Sequence, residues 1–395
     1  MPESPLLHQR LTSIDAYRGF VMFLMMGEVL RTCEVAKALG NSRVWSLLCH
    51  HQTHVEWTGC SLHDLIQPGF SFLVGVALPF SIASRQTRGH SFWQMMLHAA
   101  WRSVALILLG VFLRSIGRSQ TYWTFEDTLS QIGMGYLFLF LLGWTKVRTQ
   151  LIACGLILVG YWLAFAVYPV PGPNFDWSVT GVAPDWPHNA VGFTAHWNKN
   201  TNAAWAFDRW FLNLFPREQP FLFNGGGYST LSFIPTLATM ILGLWGGNIL
   251  RGDQTTTRKW SSLCVFGVAL LAAGYLAGVA GLCPIVKKIW TPSWVLFSGG
   301  WCFLFLAAFY GTIDAAGYRR WAFPLVVIGA NSIAAYCMAH LFDGFIEENL
   351  KTNLGQNFFK FAGSAYEPFW LGAATLFVLW LILLWMYRRR IFLKI

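Results

Sequence analysis

Charge is what this sequence has least of. Of its 395 residues 12% are Asp, Glu, Lys or Arg, against 55% hydrophobic and 17% aromatic. Soluble domains carry about 25% charged residues, so an ordinary water-soluble enzyme is excluded. The formal net charge of +10 reads as membrane orientation, not as a nucleic-acid footprint. Cysteine is also scarce: eight in the whole chain exclude a disulfide framework. Cys154, Cys264, Cys302 and Cys337 fall in apolar runs and read as core filler. Cys33, Cys49, Cys60 and Cys283 stand near one face and leave room for a single bridge. There is no HExxH helix and no CxxC pair, so no metal is expected. No internal repeat is visible, which gives an inverted-repeat transporter no support. The polar tail of residues 1–12 shows no cleavable signal.

Long apolar runs are plentiful. They lie near 14–33, 64–84, 93–115, 129–146, 149–169, 228–250, 262–282, 292–314, 321–342 and 366–388. At ~1.5 Å per residue, roughly 20 residues cross the hydrocarbon. The expectation is an all-α, polytopic membrane bundle of about ten spans, one domain over 1–395, multi-pass in a bacterial cytoplasmic membrane. Half of the 28 Lys and Arg fall in the short turns and tails on the side of the N-terminus, from Arg10 to Lys394. The positive-inside rule then places both termini in the cytoplasm. The long loop at about 170–227, rich in Pro, Gly, Asn and Trp, falls on the outer face. Its aromatic density suggests an ordered lid, with a short interfacial helix over 202–214.

One outer stretch collects the titratable groups that the chain otherwise avoids. His50, His51, His54, Glu56, His63 and Asp64 crowd together beside Trp57 and Cys60, which marks a candidate site. A histidine there can move a proton or carry an acyl group; a solvated loop histidine fits the spacing equally well. Asp64 either orients that imidazole or is a helix N-terminal carboxylate. Asp15 and Arg18 share one face of the first helix, with Glu28 near its outer end and in reach of the His54 loop. Arg102 is a lone cation inside a span, which calls for an acidic partner or an anionic ligand. Asn331, Tyr336 and His340 fall roughly on one face of the ninth run, a polar stripe toward the bundle interior. These residues fit a membrane-embedded transferase and a transporter equally.

Several of these stretches together resemble the heparan-α-glucosaminide N-acetyltransferase family and its bacterial relatives. SIDAYRGFVMFLMM and HVEWTGCSLHDLIQPGF are similar to the family's opening and to its His-x-x-Trp-x-Gly pattern. AWRSV, LSQIGMGY, NAAWAFDRW, NGGGYSTL, KKIWTPSWVLFSGG, GANSIAAYCMAH and YRRRIFLKI follow in order. The resemblance implies transfer of an acetyl group from cytoplasmic acetyl-CoA to an amino sugar or glycan on the outer side. His54 matches the family's catalytic histidine, as acetyl carrier or general base, and Asp64 its orienting carboxylate. Trp57, Asn331, Ser332, Tyr336 and His340, with Asp15, would line the substrate path. Charge, not the match, nominates Arg18 and Arg102 for the CoA phosphates. The sequence departs from the pattern where Glu28 stands near a family Asn, where Gln131 replaces Arg, and where glycines replace an acidic turn in NGGGYSTL. A carboxylate at Glu28 beside His54 would keep the imidazole protonated to higher pH. A glycan or lipid-precursor flippase and a polysaccharide O-acyltransferase stand as alternatives. The bilayer is the expected partner, nucleic acid is not, and self-association is left open.

Overall fold

The computed structural model describes residues 11–393 and is helical, with no strand among them and one isolated bridge between Thr58 and Val286. Most of the expected N-terminal tail, with Arg10, and the C-terminal Lys394 lie outside the described residues. The helices in chain order are α1 (Thr12–Met26), α2 (Thr32–Ala38), α3 (Arg43–Gln52), α4 (Ile66–Gln86), α5 (Phe92–Ser115), α6 (Thr128–Leu142), α7 (Val147–Ala166) and α8 (Ala203–Phe211). There follow α9 (Phe233–Arg251), α10 (Thr256–Val279), α11 (Pro292–Phe309), α12 (Phe323–Ala330), α13 (Ser332–Leu341), α14 (Asp343–Leu354) and α15 (Glu367–Arg388).

Among the described residues seven helical stretches are long and apolar enough to cross a membrane: His63–Gln86, Phe92–Ser115, Val147–Ala166, Thr230–Arg251, Thr256–Val279, Pro292–Ala315 and Ser364–Arg388. The pair Arg320–Ala330 and Ser332–Leu341 reaches that length only when taken together and is bent by 70° at its break. The seven helices and the bent pair coincide with expected runs. The runs near 14–33 and 129–146 appear as α1 and α6, each of 15 residues. At ~1.5 Å per residue these are ~22 Å long, short of the ~30 Å hydrocarbon core. Local signals set their ends. After Met26 the chain tightens into a 3-10 turn (Gly27–Leu30) and Arg31 turns left-handed at φ 48°. At α6 the Asp127 carboxylate caps the helix by accepting from the Leu129 and Ser130 amides, which fixes its start.

The chain divides into two compact units. The first holds the described residues up to Gln52, Gln254–Cys264 and residues from Leu304 onward. Here α1 packs against α12 and α13, and α15 against α14 and the Gly27–Leu30 turn. A disulfide joins Cys33 of α2 to Cys49 of α3, the one bridge for which the spacing left room. Gln52 finishes α3 by accepting from the Thr32 amide (3.0 Å) and donating to the Gly27 carbonyl.

The break at Asn331 corrects one expectation. Reading Asn331, Tyr336 and His340 as one helical face assumed a continuous helix. At Asn331 the backbone leaves the helical region (φ −128°, ψ 41°). Its side-chain amide is spent on the C-terminal tail, donating to the Ile391 carbonyl (2.9 Å) and accepting from the Leu393 amide (3.1 Å). Buried amides released by a helix break need such partners.

The second unit, Thr53–Asp253 with Val265–Phe303, carries the candidate site. Its centre is the crossing of α4 and α9. A Cβ at Gly75 would collide with the Met240 carbonyl, and one at Gly243 with the Phe72 carbonyl, so glycine sets how closely the backbones approach. Neutral side chains lie buried beside that crossing. Gln131 accepts from Gln67 (3.2 Å) and Thr236 (3.0 Å) and donates to the Ser229 carbonyl (3.1 Å).

The long loop is ordered, and the expected short helix is α8. Asparagines pin it. Asn202 caps α8 at the Ala204 and Trp205 amides, and Asn200, left-handed at φ 53°, donates to the Thr180 (2.8 Å) and Asn224 (2.9 Å) carbonyls. Trp197 is fully buried in a cluster with Trp57, Tyr161, Phe165, Ala204, Cys283, Val286 and Ile289. That cluster welds the His54 loop, α7, the long loop and the segment before α11 into one body.

Candidate active site

His54 lies in the loop between α3 and the 3-10 turn His63–Leu65 that opens the α4 span. Tight turns at Ser61 and Leu62 swing Asp64 back under it. The His54 Nδ1 to Asp64 Oδ1 distance is 2.8 Å. The other carboxylate oxygen, Oδ2, accepts from the amides of Ser61 (2.9 Å) and Val55 (3.3 Å). The Ser61 hydroxyl donates to the Thr53 carbonyl at 2.6 Å and closes the loop. Asp64 is 1% exposed and His54 35%, so the carboxylate is internal while the imidazole keeps a face toward solvent. Because a carboxylate accepts, Nδ1 carries the proton and Nε2 keeps its lone pair.

A third group completes the cluster. Lys287, 5% exposed, places Nζ 3.0 Å from Nδ1, 3.2 Å from Nε2 and 3.6 Å from Asp64 Oδ1. Gly59 N–H to Ile285 O (3.0 Å) and the Thr58–Val286 bridge splice its loop to the His54 loop. Thr291 and Ser293 both donate to the Pro284 carbonyl (2.7 and 2.6 Å) and hold the turn from the α11 side. The His63 ring centroid is 4.4 Å from that of His54, and the Tyr228 ring 6.5 Å.

Burial lowers the pKa of His54 below the usual histidine value, aided by the Lys287 ammonium and His63; the Asp64 hydrogen bond and charge oppose this. The resting imidazole is therefore neutral at neutral pH. Cys60 is no rival nucleophile: burial, with the Asp64 carboxylate, pushes its thiol up to about 12, far from thiolate chemistry. Among the described residues no group of three or more His, Cys, Asp or Glu is arranged to hold a metal ion.

The other candidates fall as follows. Trp57 is 2% exposed and donates from its indole to the Trp197 carbonyl (3.1 Å), a core residue of the cluster that anchors the His54 loop. A Cβ at Gly227, which has φ +81°, would strike that indole. His50 and His51 sit together and exposed at the end of α3 in the first unit. Among the described residues Arg102 meets no carboxylate: it donates to the Tyr136 hydroxyl (3.2 Å) and lies over the Tyr136 ring, with Nε buried and without a hydrogen-bond partner there. In the first unit Asp15 and Arg18 form the expected pair at 3.3 Å, and Glu28 is exposed in its 3-10 turn. Ser332 opens α13, and the His340 ring stacks on Tyr336. Lys287 was missed as a site residue because it is 233 positions from His54. Its signals were present: it lies in the quoted KKIWTPSW stretch and interrupts the loops that the charge pattern reads as outer, which are otherwise sparse in cations.

No protein-family model matches the chain. Heparan-alpha-glucosaminide N-acetyltransferase of Homo sapiens is 23% identical over 438 aligned residues, covering 98% of this chain and 60% of that protein. The Mus musculus protein of the same name is 24% identical over 399, covering 88% of this chain and 57% of that protein. The chain thus spans less than two thirds of the length of the curated relatives it matches. Along nearly all of its own length, this chain is a distant relative of the proteins named heparan-alpha-glucosaminide N-acetyltransferase.

Proposed function

We propose that the protein is a membrane acetyltransferase that moves an acetyl group from acetyl-CoA to the amino group of a sugar or glycan at the outer face. The observation that carries this reading is the His54–Asp64 pair, 2.8 Å apart, in a chain related to named N-acetyltransferases. Nε2 of His54 is the reacting nitrogen. It takes the proton of the attacking amine, or it takes the acetyl group and passes it on. On both routes the thioester C–S bond breaks, the amide C–N bond forms, and CoA leaves as a thiol with the amine's proton. Asp64 holds the tautomer and offsets the positive charge that His54 gains during transfer. Arg102, with its unpartnered Nε, is the proposed cation for a donor phosphate.

The test is transfer of labelled acetyl from acetyl-CoA to glucosamine by the purified full chain and its His54→Ala variant. The variant should lose about 100-fold or more. Equal CoA release by both would remove His54 from the mechanism. Glycan flux into vesicles without acetyl transfer to any acceptor would replace the enzyme with a transporter. Transfer to hydroxyls alone would make it an O-acyltransferase.

A further inference from the structure

A lysine within 3.2 Å of both ring nitrogens of a histidine is an unusual neighbour, and its position around the ring matters. Nδ1 and Nε2 flank Cε1. An in-plane point about equally far from both would overlap Cε1 or the ring itself. The Lys287 ammonium therefore stands over the face of the imidazole, out of line with either lone pair. A cation over a neutral aromatic ring is attracted to it, whereas the same cation against an imidazolium is repelled. Asp64 faces the ring from the opposite side of the charge balance. Its Oδ1 is shared between Nδ1 at 2.8 Å and the ammonium at 3.6 Å, so it is partly neutralised and less able to hold His54 protonated. Lys287 is 5% exposed, so water does little to weaken these effects.

We propose that Lys287 is the positioning residue of this site: its ammonium, fixed over the imidazole by the loop before α11, keeps His54 neutral and leaves the Nε2 lone pair open to the substrate. This deepens the acetyl-transfer reading and rests on it for its catalytic meaning. The groups that face His54 are Asp64 and His63 from the turn before α4, Lys287 from the loop before α11, and the Tyr228 ring from the end of the long loop. Lys288, whose ammonium donates to the Glu56 carbonyl (2.9 Å), and Glu56, paired with His188 (3.0 Å), lie at the rim.

The experiment reads protonation without requiring turnover. Diethyl pyrocarbonate modifies only unprotonated imidazole, and mass spectrometry separates His54 from His50, His51 and His63. Its rate at His54 is followed from pH 4.5 to 8.5 in the purified full chain, in Lys287→Met, Lys287→Gln and Lys287→Arg, with thermal unfolding as the fold control. Lys287→Met and Lys287→Gln should each raise the midpoint at His54 by about one pH unit or more, and Lys287→Arg should leave it near the parent value. The pH profile of acetyl transfer should move the same way. An unchanged midpoint in either folded neutral variant overturns the role of Lys287. A shifted midpoint in a protein that transfers no acetyl group upholds the electrostatic role while removing the acetyltransferase reading.

Discussion

Asp208 offers the sharpest test of how the long loop is held. It lies in α8, 2% exposed, and Oδ2 accepts from the Thr230 amide at 2.9 Å. Oδ1 and the Thr230 hydroxyl are both buried without a hydrogen-bond partner. Burial, reinforced by Glu126, raises the Asp208 pKa to about 7, against the pull of Thr230 and Arg217. A raised carboxylate binds its proton more tightly in the folded state. Stability from this group is therefore greatest below the unfolded value near 4 and is lost as pH climbs to 7, after which it is flat. A rise from 3.8 to about 7 at about 1.4 kcal/mol per unit is about 4 kcal/mol. Asp208→Asn removes that titration but puts an amide N–H2 at a buried position where Oδ1 had no partner, at a constant cost of about 1–3 kcal/mol. The two effects predict a crossover: the variant is less stable than the parent at pH 4.5 and more stable at pH 7.5. Hydrogen exchange over 203–211 at both pH values, in purified protein, measures the local opening free energy. Asp127, whose pKa burial also raises, remains in both proteins, while Glu126, whose charge adds to the Asp208 shift, titrates together with Asp208 and belongs to the same effect. A variant-minus-parent difference that does not change with pH would refute the reasoning.

Two further outcomes test the framework. Cys49→Ser should abolish the Cys33–Cys49 cross-linked peptide in non-reducing mass mapping and lower stability by about 2–4 kcal/mol, as expected for closing a short loop; absence of that peptide in the parent would refute the bridge. Gly243→Leu should prevent α4 and α9 from closing and leave little folded protein on size-exclusion in detergent, whereas Gly155→Leu, with open space around its Cβ position, should be tolerated.

Hydropathy located the seven long apolar helices and the bent pair because a bilayer demands length and apolarity, and both are written locally. The ends of α1 and α6 were not legible: a left-handed Arg31 closes the first, and turns at Trp144 and Thr145 end the second after Leu142, without changing the apolar count. The break at Asn331 was hidden for the same reason, since the tail that satisfies its amide lies 60 residues on. His54 and Asp64, ten residues apart, were legible as a pair because one tight loop brings them together. Lys287 was not, because loop splicing by Gly59, Ile285 and Thr291 is a tertiary event with no period in the sequence. The aromatic density of the long loop announced order, but not that Asn200 would serve as a clamp and Asn202 as a cap.

The two oxygens of Asp64 are divided between a loop and a ring, and this has a consequence for how the protein can change. The oxygen that gathers the Ser61 and Val55 amides shapes the backbone; its twin selects which nitrogen of His54 bears hydrogen. Shape and proton inventory are thus recorded in a single side chain. A lineage that remodelled this loop would also have to reset the proton arrangement of its histidine. Diversification is therefore expected to enter from the long loop, at positions such as Tyr228, and to leave the turn from Thr53 to Asp64 untouched.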